Sequence, residues 1–185
     1  MEREFRRRVV LLDRDGVINI NRDDYVKSVE EVEFIPGALE ALSRLNAAGW
    51  KVVVISNQAC VGKGIISEET LQSITQKMEK EIAEAGGEIA AVYYCTHRPE
   101  DGCDCRKPAP GLIERASREL GFNPKDAVFI GDAEADIKAG KAAGCRTVLV
   151  LSGRISRTEA EQISPAPEWI VNNLLEAADR LIAGW

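Results

Sequence analysis

The chain has 185 residues, of which 45% are apolar, and its formal net charge is -6. A chain of this length can bury one substantial core, so we expect a single domain spanning residues 1–185. Its basic residues are scattered apart from a cluster at Arg3, Arg6, Arg7 and Arg8, and this pattern disfavours a nucleic-acid partner.

Short β-branched runs alternate along the chain with longer segments of helical periodicity. This alternation predicts an α/β fold, a doubly wound, Rossmann-like parallel sheet of five or six strands with flanking helices. Strands are predicted near residues 9–13, 51–56, 89–95, 127–131 and 147–151, with a short edge strand at 169–171. Helices are predicted over residues 37–48, 67–86, 111–121, 134–143 and 172–182, and the stretch 152–167 reads as a surface loop.

The first predicted strand, Val9 to Leu12, runs directly into an aspartate pair, Asp13-Arg14-Asp15-Gly16. Two carboxylates at the end of a buried strand carry a large desolvation cost, so we expect them to bind a cation or to take part in chemistry. Polar residues also follow later strands, as Ser56-Asn57-Gln58, Arg106-Lys107 and Gly131-Asp132. Because functional groups in open α/β sheets collect at the carboxyl ends of the strands, we predict that these residues share one site.

This set of side chains supplies the parts that phosphoryl transfer requires. We predict that Asp13 attacks phosphorus and forms an aspartyl-phosphate, while Mg²⁺ bridges Asp13, Asp132 and the phosphate. Asp15 is predicted to protonate the leaving oxygen and then to accept a proton from water, and its main-chain carbonyl is a further candidate metal ligand. Ser56 and Lys107 are predicted to hold the transferring oxygens. The predicted activity is therefore Mg²⁺-dependent hydrolysis of a phosphomonoester.

Membrane association is not indicated by the sequence. The apolar run that follows the N-terminal basic cluster ends at Leu12, and no other segment approaches the length of a membrane span. We therefore expect a cytoplasmic protein without a membrane partner, and a monomer by default. In a reducing compartment the five cysteines are better interpreted as metal ligands or buried thiols than as disulfides.

A second group of candidate ligands is Cys95-x-His97 followed by Cys103-x-Cys105. Three thiolates and an imidazole form a ligand set for tetrahedral zinc, and a single loop over residues 95–105 can bring them together. The spacing is not that of a Cys-x2-Cys finger, so a chance grouping stays open at this point. No ligand position remains for a catalytic water, which predicts a structural rather than a catalytic zinc. The other two cysteines, Cys60 and Cys145, are expected to be small buried side chains.

Four of these segments, taken in order, resemble the four motifs of the haloacid dehalogenase superfamily of phosphatases: Asp13 to Gly16, Ser56, Lys107-Pro108 and Gly131 to Asp136. Within it the chain resembles, along nearly its whole length, the D-glycero-β-D-manno-heptose 1,7-bisphosphate 7-phosphatase family. The most specific matching pieces are Asp13 to Asn19, Tyr25-Val26, Phe34 to Gly37, Ser56 to Gln58, Tyr93 to Cys95 and Cys103 to Pro108. The resemblance implies removal of the 7-phosphate, no large cap domain, a structural zinc site in this loop, and a setting in heptose synthesis for lipopolysaccharide.

The resemblance also implies roles for residues around the substrate. It implies that the loop with Arg22, Asp24 and Tyr25 contacts the sugar, that Asn57, Gln58 and Arg106 also bind substrate, and that Asp136 supports the lysine or the metal site. Two departures leave the exact substrate open: Ala133 stands where the family commonly has lysine, and the segment 21–25 differs from the usual pattern. Histidinol-phosphate phosphatases share the zinc loop and are the nearest alternative, and a phosphatase of another small sugar phosphate is also open. The alternative from another functional class is a phosphate-binding module that is stabilised by zinc and does not catalyse a reaction.

Overall fold

The structure is a computed structural model that describes residues 8–184. Arg3, Arg6 and Arg7 of the predicted basic cluster lie outside the described residues. The strands are β1 Val9–Leu12, β2 Lys51–Asn57, β3 Ala91–Cys95, β4 Ala127–Gly131, β5 Arg146–Val150 and β6 Trp169–Val171. The α-helices are α1 Ala38–Ala47, α2 Ala59–Gly62, α3 Glu68–Glu84, α4 Gly111–Leu120, α5 Glu134–Ala143, α6 Arg157–Ala160 and α7 Leu174–Gly184. Short 3₁₀ helices lie at Val29–Glu31, Pro99–Asp101 and Pro124–Asp126.

The six strands form one parallel sheet in the order β3-β2-β1-β4-β5-β6. Strand β1 lies in the middle, with Leu12 opposite Val54 on β2 and Ile130 on β4. The direction of the crossovers reverses between β1 and β4, and in such sheets ligands bind at the carboxyl ends of the strands beside the reversal. The prediction of a doubly wound parallel α/β sheet is therefore confirmed, with six strands.

Both faces of the sheet are covered by helices. Val10 and Leu12 of β1 belong to a core layer that also contains the buried sides of α1, α3 and α7. Val9 and Leu11 point to the opposite face, where they join a layer formed with α4 and α5. Because parallel strands are buried on both faces, they are continuously apolar, and β1 ends in polar residues only where it leaves the core.

The observed elements differ from the predicted ones mainly in the connections. Helix α2 was not predicted, β3 begins at Ala91 rather than at residue 89, and β5 is displaced by one residue. Residues 152–167, interpreted as a surface loop, form a largely exposed connection that also contains the four-residue helix α6, with Ala160 and Ile163 buried. Residues 8–184 contain no large cap domain, as predicted. The assignment of residues 1–185 to one domain stays a prediction.

None of the helices formed by the described residues combines the length and the apolar composition that are needed to cross a membrane.

Candidate active site

The candidate nucleophile, Asp13, directly follows β1. Its N–H donates to the Ile130 carbonyl of β4 at 3.0 Å, so the loop leaves the sheet next to β4. Gly16 then turns the chain with φ +85°, and a Cβ at this position would lie 2.1 Å from Oδ2 of Asp132. A side chain at Gly16 is therefore excluded by the close approach as well as by the backbone conformation. This glycine allows the loop after β1 and the acid after β4 to meet.

Lys107 is the cation of the site and is almost completely buried, with 4% of its surface exposed. Its Nζ lies 3.0 Å from Asp13 Oδ1 and 2.6 Å from Asp136 Oδ1, and it donates to the Ile55 carbonyl at 2.9 Å. Burial lowers the pKa of Lys107, but the two aspartates raise it further, and the net pKa is well above its usual range. The Lys107 ammonium therefore stays charged beside the candidate nucleophile.

The backbone of Lys107 is held by Asn57. The Asn57 side chain donates to the Lys107 carbonyl and accepts from the Lys107 N–H, with both bonds at 3.1 Å. This reciprocal pair joins the end of β2 to the loop that follows the cysteine cluster. Asn57, predicted as a substrate contact, thus has its amide oxygen and nitrogen engaged with the lysine backbone.

Asp136 lies in the first turn of α5. Its Oδ2 accepts hydrogen bonds from the N–H groups of Asp132 and Ala133, both at 3.1 Å, while its Oδ1 faces Lys107. An acid at this position also interacts favourably with the positive end of the helix. Because both oxygens already have partners, Asp136 is suited to orient Lys107 and the start of α5, and is poorly suited to bind a metal. Its supporting role, implied by resemblance, stays a prediction.

Asp13 and Asp132 form a strained anionic pair. Burial, followed by the neighbouring acids, raises the pKa of Asp13 to about 6 despite the opposing Lys107 charge. Burial and the charges of Asp13 and Asp136 raise the pKa of Asp132 to about 8. One carboxylate oxygen each from Asp13, Asp132 and Asp136 lies within 4.8 Å of the other two. Because both Asp136 oxygens already have partners, Asp13 and Asp132 are the acids left to bind a cation. A hard divalent cation favours such oxygen ligands and would remove the repulsion between them, so this pair fits Mg²⁺.

A cavity of about 710 Å³ opens above these carboxylates, a volume suited to a small metabolite. Seven predicted site residues line it: Asp13, Asp15, Arg22, Tyr25, Ser56, Asn57 and Asp132. The remaining lining includes a set that the sequence analysis missed, from the segment after β5: Arg154, Ile155, Glu159, Gln162 and Ile163. Part of the cavity wall is therefore formed by the segment that was predicted to be a surface loop.

The segment after β5 is fixed to the acidic loop by close contacts. Ser152 Oγ donates to the Gly16 carbonyl at 2.8 Å, and a Cβ on Gly153 would lie 1.9 Å from Asp132 Oδ2. Arg154 Nη2 then donates to the Arg22 carbonyl at 2.6 Å. One signal could have identified this segment: Ser152 and Gly153 lie two and three residues after the end of β5, at the same edge of the sheet as the other site residues.

Besides the zinc ligands, five predicted site residues do not line the cavity, and one of them is Asp136, described above. Gln58 is buried and donates to Asp15 Oδ2 at 2.7 Å and to Ser56 Oγ at 3.0 Å. Lys107 lies beneath the carboxylates, and Arg106 is half-buried beside it. Asp24 is exposed and forms an ion pair with Lys27. The roles proposed for these side chains stay predictions.

The four predicted zinc ligands, Cys95, His97, Cys103 and Cys105, converge at the end of β3. The three Sγ atoms are 3.0 to 3.6 Å apart, and His97 Nδ1 is 3.2 Å from Cys105 Sγ and 3.7 Å from Cys95 Sγ. Zinc–sulfur bonds of about 2.3 Å place tetrahedral ligands roughly 3.8 Å apart, close to the observed separations. All three cysteines are free thiols. The residues thus fit a tetrahedral zinc ion.

The three neighbouring thiols also shift one another's pKa values. Burial, and then the neighbouring Cys95 and Cys103, raises the pKa of Cys105 well above its usual range. Burial raises the pKa of Cys103, but hydrogen bonds from Cys105 and Cys95 lower it more, to about 7. Ionisation of all three thiols together is therefore disfavoured without a cation, and bound zinc would supply the compensating charge.

Comparisons with known proteins agree with this geometry. Residues 104–177 match the HAD-hydrolase-like family. The D-glycero-beta-D-manno-heptose-1,7-bisphosphate 7-phosphatase of Pseudomonas aeruginosa is 38% identical over 176 residues, covering 95% of this chain and 98% of that protein. The crystal structure of D,D-heptose 1,7-bisphosphate phosphatase from B. bronchiseptica, complexed with magnesium and phosphate, superposes with a TM-score of 0.90 at 36% identity, covering 96% and 99% of the two chains. The corresponding enzyme from Burkholderia thailandensis gives a TM-score of 0.72 at 30% identity, with 96% and 99% coverage.

Proposed function

The chain belongs to the D-glycero-beta-D-manno-heptose-1,7-bisphosphate 7-phosphatase family, and from this we propose that it removes the 7-phosphate of D-glycero-D-manno-heptose 1,7-bisphosphate. It is a phosphatase with a haloacid dehalogenase-like fold. The observation that carries the proposal is the buried contact of Lys107 with Asp13, beside Asp132, at the carboxyl ends of β1 and β4.

The first half of the reaction transfers the phosphoryl group to the protein. An Asp13 carboxylate oxygen attacks phosphorus, and the bond between phosphorus and the C7 oxygen breaks as the aspartyl-phosphate forms. Lys107 Nζ, 3.0 Å from Asp13 Oδ1, and the Ser56 hydroxyl stabilise the charge on the transferring oxygens. Asp15, at the wall of the cavity, donates the proton that the leaving C7 oxygen needs.

The second half of the reaction restores the enzyme. The Asp15 carboxylate accepts a proton from a water molecule whose oxygen attacks phosphorus, and the bond between phosphorus and Asp13 breaks. Inorganic phosphate leaves, Asp13 is again a carboxylate, and Asp15 again carries the proton for the next cycle. The net reaction consumes one water and releases one phosphate.

Two metal ions complete the proposal. Asp13, Asp132 and the Asp15 main-chain carbonyl would hold Mg²⁺, whose positive charge, when bound, reduces the repulsion between the nucleophile and the phosphate. Cys95, His97, Cys103 and Cys105 would hold a structural zinc. Since Lys107 follows Cys105 by two residues, ordering of the zinc loop also fixes the direction of the lysine.

The setting follows from the same chemistry. Free thiols suited to zinc favour a reducing compartment, and we place the enzyme in the cytoplasm, acting on a small phosphorylated sugar and without a nucleic-acid or membrane partner. We propose a monomer as the active form and synthesis of activated heptose for lipopolysaccharide as its setting. One domain over residues 1–185 is part of the same proposal.

Phosphate release from the zinc-loaded protein, with and without added Mg²⁺, tests this function. Omission of Mg²⁺ is preferable to chelation because a chelator would also remove zinc. We expect Mg²⁺-dependent release, with heptose 1,7-bisphosphate used more efficiently than histidinol phosphate. Preference for histidinol phosphate would contradict the assigned substrate, and no release from either compound by a folded sample would favour the non-catalytic phosphate-binding module.

Arg154 provides a test of substrate binding. It lines the cavity with Arg22, its side chain is 54% exposed, and its ion-pair partner Asp23 is fully solvated, so the distal phosphate of a bisphosphate can replace Asp23 as its partner. Loss of one charge-assisted hydrogen bond costs about 1.5–3 kcal/mol. We therefore expect Arg154→Ala to raise KM for the bisphosphate by about tenfold or more, with kcat little changed, in steady-state assays.

The matched control is Arg157→Ala, which removes the same charge from an exposed position of the same segment that does not line the cavity. Heptose 7-phosphate, which lacks the distal phosphate, is the control substrate. An equal increase in KM for both substrates, or the same effect from Arg157→Ala, would contradict a contact between Arg154 and the distal phosphate.

A further inference from the structure

Arg14, between the two aspartates of the site, points away from the cavity. Its side chain is 1% exposed, the largest of the fully buried side chains among the described residues, and it is not part of the cavity wall. Burying a guanidinium costs several kcal/mol unless its partners compensate for the lost water. An arginine that contacts neither substrate nor solvent therefore requires another explanation at this position.

The partners of Arg14 are concentrated on Asp15. Arg14 Nε and Nη2 donate to Asp15 Oδ1 at 3.3 and 3.0 Å, and Nη2 is also 3.0 Å from Asp15 Oδ2. Nη2 further donates to Gln58 Oε1 at 3.0 Å, and the guanidinium lies 5.8 Å from the centre of the Tyr94 ring. The planar fork of arginine matches a carboxylate in direction as well as in charge, which the ammonium of lysine does not.

The remaining bonds to Asp15 complete a fixed frame. Asn19 donates to Oδ1 at 2.8 Å, and Gln58 donates to Oδ2 at 2.7 Å. Oδ1 therefore accepts from three donor atoms. Oδ2 accepts from Gln58 and shares Arg14 Nη2 with Oδ1, so it is the oxygen with capacity for a further proton or hydrogen bond. The Asp15 side chain is 21% exposed, and its open side faces the cavity.

We propose that Arg14 is a positioning residue that holds the Asp15 carboxylate in the one orientation in which Oδ2 reaches the leaving oxygen. Gln58 connects Asp15 to Ser56, because its Nε2 donates both to Asp15 Oδ2 and, at 3.0 Å, to Ser56 Oγ. Arg14 thus acts on the reaction through Asp15. The proposal rests on the role of Asp15 as the proton donor in the proposed function.

The test compares two substrates that differ in their need for a proton. Departure of a sugar alkoxide requires protonation, whereas p-nitrophenolate leaves without it. For both substrates, kcat/KM reports only the steps up to loss of the leaving group, before the aspartyl-phosphate is hydrolysed. Misplacing or removing a general acid costs about 10²-fold, so we expect Arg14→Met and Asp15→Asn each to lower kcat/KM by about that factor for heptose bisphosphate. For p-nitrophenyl phosphate we expect a loss below about threefold.

A double variant tests whether Arg14 acts through Asp15. Adding Arg14→Met to Asp15→Asn should cause no further loss of kcat/KM for the sugar substrate, because the residue that Arg14 positions no longer carries the proton.

The matched control is Cys60→Ala, since Cys60 is buried and contacts Gln58 but has no bond to Asp15. Circular dichroism and zinc content establish the folded fraction of every variant. Arg14→Lys keeps the charge but loses the fork, and replaces Arg14→Met if the latter does not fold.

Two outcomes overturn the inference. If Arg14→Met lowers kcat/KM by the same factor for both substrates, Arg14 has a merely structural role. If the losses of kcat/KM add in the double variant, Arg14 acts independently of Asp15. If Asp15→Asn itself does not distinguish the two substrates, the acid role assigned to Asp15 in the proposed function fails. If Asp15→Asn does distinguish them and the Arg14 variants do not, only the inference about Arg14 fails.

Discussion

Asp13→Asn is expected to abolish turnover while leaving the fold intact. A neutral amide cannot replace a carboxylate as the nucleophile, and loss of a covalent nucleophile typically costs roughly 10⁴-fold or more in kcat. The amide oxygen can still accept the bond from the Arg14 N–H, at 2.7 Å in the structure, and that from Lys107 Nζ. Substitution also removes one charge from the repelling pair with Asp132. We therefore expect the free energy of unfolding to change by less than about 1 kcal/mol.

Phosphate release and thermal unfolding, measured on the same preparation, check this prediction. Asp126→Asn is a matched control, because Asp126 is exposed and lies outside the cavity. The control should retain wild-type turnover, and any phosphate release by Asp13→Asn sets the level of contaminating phosphatase. Turnover by Asp13→Asn near the wild-type level would exclude Asp13 as the nucleophile.

Loss of zinc is expected to impair both stability and catalysis. In small zinc domains the apparent binding free energy is roughly 10–16 kcal/mol, and we expect Cys105→Ser to lower the free energy of unfolding by at least about 3 kcal/mol. Lys107 follows two residues later, and a displacement of about 1 Å can cost about 10²-fold in rate. We therefore expect kcat to fall by about that factor in the fraction that remains folded.

The measurements are zinc content by elemental analysis, chemical denaturation, and kcat corrected for the folded fraction. Cys145→Ala is the matched control, since Cys145 is buried and free but lies outside the cluster. It should keep its zinc and its turnover. Retention of wild-type stability and kcat in a Cys105→Ser sample without zinc would contradict the structural role assigned to the metal.

The parallel sheet and the location of Asp13 at the end of β1 could be predicted from the sequence, for identifiable physical reasons. β1 is short, apolar and followed by acids, so both the strand and the position of Asp13 follow from burial cost alone. Functional groups in open α/β sheets collect at the carboxyl ends of the strands, and this expectation correctly placed Ser56, Lys107 and Asp132 at the same edge of the sheet.

Contacts between distant segments could not be predicted in this way. Gly153 is required because Asp132 occupies the space where its Cβ would be, a relation between two loops that no local pattern records. Arg14 was read as part of a motif, whereas its bond to Gln58 joins residues 44 positions apart. The segment with α6 was missed because four residues are too few for helical periodicity to indicate.

The central claim is that Asp13 attacks phosphorus beside a divalent ion held by acids from two strands. A crystal structure with Mg²⁺ and beryllium trifluoride, a stable mimic of a phosphoryl group bound to a carboxylate, tests it most directly. We predict beryllium bonded to an Asp13 oxygen, Mg²⁺ bound by Asp13, Asp132 and the Asp15 carbonyl, and fluorine within reach of Lys107 Nζ and Ser56 Oγ. Beryllium bonded to another residue, or Mg²⁺ bound away from Asp13 and Asp132, would contradict the account.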